Sequence, residues 1–146
     1  MDLTKEYPRS VRDKMAGVVM LARTTDKGRA HAHGNVGEYH YNCPMDKAVF
    51  GFLGIDADEY LEHIKAGKND AELEAYARTF TEKKTQAEID EWNENFLNYA
   101  PEPGSEGEAY FLKLRGEVAP DRTDVTAWPD LLDLDEKRQV PHRVAV

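Results

Sequence analysis

One cysteine in 146 residues, Cys43, excludes an internal disulfide, and that scarcity suits a reducing compartment. Long apolar runs are missing too. The longest, "MAGVVMLA" from Met15 to Ala22, is too short to cross a bilayer and is flanked by Lys14 and Arg23. The opening "MDLTKEYPRS" has no basic region followed by an apolar stretch, so no secretory signal is expected. Basic charge is in deficit: 19 Lys and Arg against 28 Asp and Glu give a formal charge of -9, which repels phosphate backbones and anionic lipid. These shortages together predict an acidic, cytoplasmic protein that binds neither nucleic acid nor membrane. Strand signals are also scarce, with alternation only around Tyr39 to Tyr41 and no Asn-Gly or Asp-Gly between two β-rich runs. No cofactor fingerprint and no complete catalytic motif is present, so no cofactor is expected.

What the chain does have is enough apolar and aromatic material, 40% and 10%, to fold in spite of 32% charge. Its length suits one domain, 1-146, with 1-9 and 139-146 as extended tails. The dominant period is helical. Ser10 caps a first helix in which Val11, Met15, Val18, Val19 and Ala22 form a stripe, ending by Gly34. Pro44 fits the first position of a second helix and Gly54 the residue beyond its end. Asp56 with Glu59 opens a third, carrying Tyr60, Leu61 and Ile64 inward. Asn69 or Asp70 starts a fourth, with Leu73, Tyr76, Ala77 and Phe80 as its stripe. Thr85 with Glu88 opens a fifth, with Ile89, Trp92, Phe96 and Tyr99. A sixth runs through Tyr110, Phe111, Leu114 and Val118, and a short segment follows Trp128. The expected architecture is all-α, an irregular bundle of about six helices, with the aromatic stripes Tyr76, Trp92, Phe96, Tyr99 and Tyr110 in the core.

Six stretches, taken in order, carry a family resemblance: "PRS" from Pro8, "DKGRA" from Asp26, "GEYHYNCPMD" from Gly37, "FLGIDAD" from Phe52, "APDRTDV" from Ala119 and "DLLDLDE" from Asp130. Their order and spacing resemble the domain-of-unknown-function 5069 family, an uncharacterised bacterial family, over nearly the whole chain. The resemblance implies membership and brings no activity, cofactor or catalytic residues with it. Pro129 departs from the aromatic residue associated with that position.

The stretch "GEYHYNCPMD" raises the functional question. With Pro44 opening a helix, Cys43 lies at its N-cap, where free backbone N–H groups and the helix dipole favour a thiolate. His40, three residues earlier, can share a proton with it, and these two are the candidate catalytic residues. The competing reading makes Cys43 a small structural residue, and it is the favoured one, because free cysteine is commonly buried. Arg23, Asp26 and Lys27 share an edge of the first helix, and with Glu38, Tyr39 and Tyr41 of the loop they form a candidate binding set for a small anionic ligand. The alternative is an ion-pair network that fixes the loop to the helix. His31, His33, His40 and Cys43 have no standard zinc spacing, so no metal is expected. Two function classes follow: a binding or protein-interaction module without catalysis, acting on a protein partner or as a homo-oligomer, or an enzyme or anion-binding protein built around Cys43.

Overall fold

The computed structural model describes residues 1–142. Among the described residues seven helices and one short hairpin are formed, so the all-α expectation holds in outline but the count of about six does not. The described chain groups into two compact units, Met1–Asn93 and the part from Glu94 onward, with the boundary inside the fifth helix. No helix among the described residues is long and apolar enough to cross a membrane.

The largest departure from the sequence reading lies before residue 21. Lys14–Met15 (β1) and Val18–Val19 (β2) pair as an antiparallel hairpin, where a continuous first helix is expected. Ser10 opens a turn instead of capping a helix: its hydroxyl accepts from the Arg12 N–H at 3.1 Å and its carbonyl from the Asp13 N–H. Ala16 and Gly17, at φ 55° and 77°, make the two left-handed residues of a tight hairpin turn. The apolar run misled because Val11, Met15, Ala16 and Val18 to Ala22 are all buried, and a segment buried on every side has no face for a period to report. A two-stranded hairpin is marginal alone. Here the Asn93 side chain accepts from the Val19 N–H at 3.1 Å and donates to the Gly17 carbonyl at 3.0 Å.

Helix α1, Leu21–Ala32, follows directly. Five further helices start where cap chemistry directs: α2, Pro44–Leu53; α3, Ala57–Lys65; α4, Asp70–Thr81; α5, Gln86–Leu97; and α6, Glu106–Val118. Asp56 accepts from the Glu59 N–H at 3.0 Å, Asn69 and Glu72 cap reciprocally, and Thr85 and Glu88 do the same. Gly54, at φ 81°, closes α2 in the left-handed conformation that glycine adopts without penalty. Trp128–Asp135 forms α7, with Pro129 in its first turn.

In the first unit the core gathers Val11, Val18, Val19, Leu21, Val49, Tyr60 and Leu73, each fully buried, with α1 packed on β1, α2 and α3. In the second, Phe111, Val125 and Leu131 form a core flanked by Leu114, Trp128 and Leu134. The aromatic stripe expected to be core is mostly not. Phe96 is buried, whereas Tyr76 and Trp92 are half-buried and Tyr99 and Tyr110 are exposed. Trp92 stacks on Phe52 with ring centroids 4.8 Å apart.

Residues 1–9 contain no helix, but they are anchored: Leu3 and Pro8 are buried and the Leu3 N–H donates to the Asn35 carbonyl at 2.8 Å. Of the expected tail at 139–146, Val140 is buried, and residues 143–146 lie outside the described residues.

Candidate functional site

Helix α1 is unusual in chemistry: "ARTTDKG", residues 22–28, is buried throughout. Arg23, Asp26 and Lys27 are 3%, 2% and 4% exposed. An isolated charge in that setting is prohibitively costly, so each must be matched. Asp26 accepts from the Arg9 backbone N–H at 2.8 Å and from the Arg9 guanidinium at 3.0 and 3.1 Å. Arg9 also reaches Asp70 at 2.9 Å, and Asp70 takes a second bond from Arg29 at 2.7 Å. Arg23 donates to the Arg9 carbonyl at 3.2 Å and lies 5.6 Å from the centre of the Tyr39 ring.

The second half of the cluster centres on Asp46, which is fully buried. Its carboxylate takes the Lys27 ammonium at 2.7 Å, the Thr24 hydroxyl and the Cys43 backbone N–H at 3.1 Å. Lys27 Nζ also donates to Cys43 Sγ at 3.1 Å. Cys43 is half-buried and is the N-cap of α2.

The loop between α1 and α2 returns over this network. Tyr41 donates its hydroxyl to the Ala57 carbonyl at 2.7 Å and stacks on His31 at 5.7 Å. Burial pushes the Tyr41 phenol well above its ordinary range, and the nearby Asp46 charge adds to this. Gly28 makes that approach feasible, since a Cβ there would sit 2.6 Å from Ile64 Cδ1 and 3.1 Å from Tyr41. Glu38 and His40 are exposed, and Tyr39 is half-buried. An open cleft of about 650 Å³ lies beside them, bounded by residues 3–7 and by Gly37, Glu38 and Tyr39.

Of the residues read from sequence, the fold therefore joins Lys27 with Cys43 and Arg23 with Tyr39, and it commits Asp26 to Arg9. His40 makes no hydrogen bond to the thiol; Lys27 is the thiol's polar partner. Among the described residues no group of three or more His, Cys, Asp or Glu is arranged to hold a metal ion. Sequence reasoning missed Arg9, Thr24 and Asp70. Only Asp46 left a local signal, through its capping-box distance from Cys43.

Asp70 connects this network to pH. Partial burial pushes its carboxyl up, but hydrogen bonds from Arg29 and Arg9 outweigh that and hold it below the ordinary value. A lowered folded value means stability that is present above the ordinary carboxylate range and is lost as pH falls through the folded value. Asp70→Asn is expected to lower stability at neutral pH by on the order of 1 kcal/mol or less, because the pair is half-exposed and screened. Urea midpoints of variant and parent should then converge as pH falls through the folded value, below which the carboxylate is protonated in both states. A gap that persists unchanged in acid would show that Asp70 acts by packing and not by charge.

A family model described as Domain of unknown function (DUF5069) matches residues 5–138, which include both halves of this cluster. No curated protein matches the chain.

Proposed function

The chain belongs to the family described as Domain of unknown function (DUF5069), and within it we propose a binding or protein-interaction module that performs no catalysis. The observation that carries this reading is the commitment of Arg23, Asp26 and Lys27 to internal partners at 4% exposure or less. An anion-binding or catalytic set needs charges that face a ligand, and these face partners inside the protein: the Arg9 carbonyl, the Arg9 guanidinium and the Asp46 carboxylate. Their work is to fix the loop and the N-terminal segment onto α1, which supports the cleft lined by Tyr7, Glu38 and Tyr39.

Two tyrosines with apolar rings and polar tips, beside Lys5, Glu6 and Glu38, make a lining suited to a protein partner or a second copy of the chain. With a single cysteine in the chain, the setting we propose is a reducing bacterial cytosol. A photo-reactive phenylalanine analogue at position 7 or 39, irradiated in cells, is expected to give discrete cross-linked species, with a doubled chain mass marking self-association. The same analogue at exposed Lys113 in the second unit should not. Equal, diffuse labelling at all three positions would reject the cleft as the binding surface.

The contact between Lys27 and Cys43 favours a second reading, an enzyme or anion-binding protein that uses the thiol at the start of α2. Cys43→Ser separates the two. Serine caps a helix well and is nearly isosteric, so the module reading expects fold and partner binding to persist. A variant that stays folded and loses a measured turnover would establish the second reading instead.

A further inference from the structure

The pairing of Lys27 with Cys43 has chemistry of its own, independent of the binding reading above. Lys27 Nζ is 3.1 Å from Cys43 Sγ, and its other strong contact, Asp46 at 2.7 Å, holds it there. Asp46 is in turn fixed by the Thr24 hydroxyl and the Cys43 N–H. Lys27 is 4% exposed, whereas Cys43 is half-buried. There is no second cysteine in the chain, so an internal disulfide is not available to an oxidised Cys43. The nitrogen in contact with the sulfur is that of Lys27.

We propose that dioxygen converts this pair into a covalent, reversible N–O–S bridge between Lys27 and Cys43, which ties α1 to the start of α2. The S–H bond and one N–H bond break, one oxygen atom bridges nitrogen and sulfur, and the other leaves as water with those two hydrogens. Sulfur and nitrogen each lose two electrons, and dioxygen takes up the four. The surplus proton of the lysine ammonium passes to the Asp46 carboxylate, which is already its hydrogen-bond partner. Reduction by two equivalents of a dithiol supplies four electrons and four protons, restoring thiol, amine and one water. The bridge fastens the loop that borders the cleft, so the redox state sets how firmly that loop is held.

The test is mass spectrometry of the whole protein after exposure to air and after treatment with dithiothreitol. The air-exposed chain is expected to gain one oxygen and lose two hydrogens, to lose its titratable thiol, and to return to the starting mass on reduction. Trypsin should fail to cut after Lys27 and should release residues 24–29 joined to 30–47. Lys27→Arg keeps a cation beside Asp46 but should not form this bridge, and Cys43→Ser removes the sulfur; neither should gain the mass. The melting temperature should rise on oxidation in the parent and stay constant in Cys43→Ser. A thiol that stays free in air, one that becomes a sulfinic acid or an intermolecular disulfide with Lys27 still cleavable, or a direct S–N link without oxygen would each overturn the proposal.

Discussion

Asp46→Ala is expected to destabilise the protein by about 3–5 kcal/mol, the range for removing one partner of a buried ion pair. The carboxylate is 0% exposed and satisfies three donors at once: the Lys27 ammonium, the Thr24 hydroxyl and the Cys43 backbone N–H. Alanine strands all three, and the stranded ammonium dominates, because a charge without a partner is costlier to bury than a hydroxyl or an amide. Asp46→Asn should recover little, since it keeps the shape but turns one of two accepting oxygens into a donor and leaves the cation uncompensated. The double variant Lys27→Met, Asp46→Leu removes both charges and should be much closer to the parent than Asp46→Ala, as apolar replacements of buried ion pairs often are. Urea midpoints of the four proteins measure the set. A cost below about 1 kcal/mol for Asp46→Ala would mean that Lys27 finds water, and the closed character of the cluster would be refuted.

How much of this was legible depended on how far apart in sequence the interacting groups lie. Helix starts were readable because their causes are local: Asp56 and Glu59, Asn69 and Glu72, and Thr85 and Glu88 are each three residues apart. The hairpin was not, because its turn is Ala16-Gly17, without the Asn or Asp that marks such turns, and its support comes from Asn93, 74 residues from Val19. The candidate site was legible in membership and illegible in state. Arg23, Asp26 and Lys27 read as a polar edge, and nothing near them in sequence announces that Arg9 comes from 17 residues before Asp26 or Asp46 from 19 after Lys27. Charged residues are buried only when paired, and pairing over such distances is a property of the tertiary fold. The same argument explains the aromatic stripes. Helical spacing aligned Tyr99 and Tyr110 with buried neighbours, but burial requires another element to cover that face, and both stay exposed.

Tyr60 is the residue whose loss should reach furthest through the first unit. Its ring is fully buried, 5.4 Å from Phe50 of α2 and 6.1 Å from Tyr76 of α4, and its hydroxyl lies 2.7 Å from that of Thr25 on α1. Tyr60→Ala removes a large side chain where three helices meet α3 and is expected to cost about 3–5 kcal/mol. Tyr60→Phe separates packing from hydrogen bonding. The Thr25 hydroxyl also donates to the Leu21 carbonyl at 2.8 Å, so losing the phenol does not strand it, and the cost should be about 0.5–1.5 kcal/mol. Burial pushes the phenol up to about 12, against the opposing effect of the Thr25 hydrogen bond. A raised folded value means that the folded state holds this proton more tightly than the unfolded chain does. The associated stability is fully present below about pH 10, the ordinary tyrosine value, and is lost as pH rises through the folded value. Tyr60→Phe lacks an ionisable group there, so its deficit relative to the parent should shrink between about pH 10 and pH 12. Denaturant midpoints across that interval decide the matter: a deficit that widens with pH would show that the phenol ionises more readily in the fold than its burial beside Phe50 and Thr25 allows.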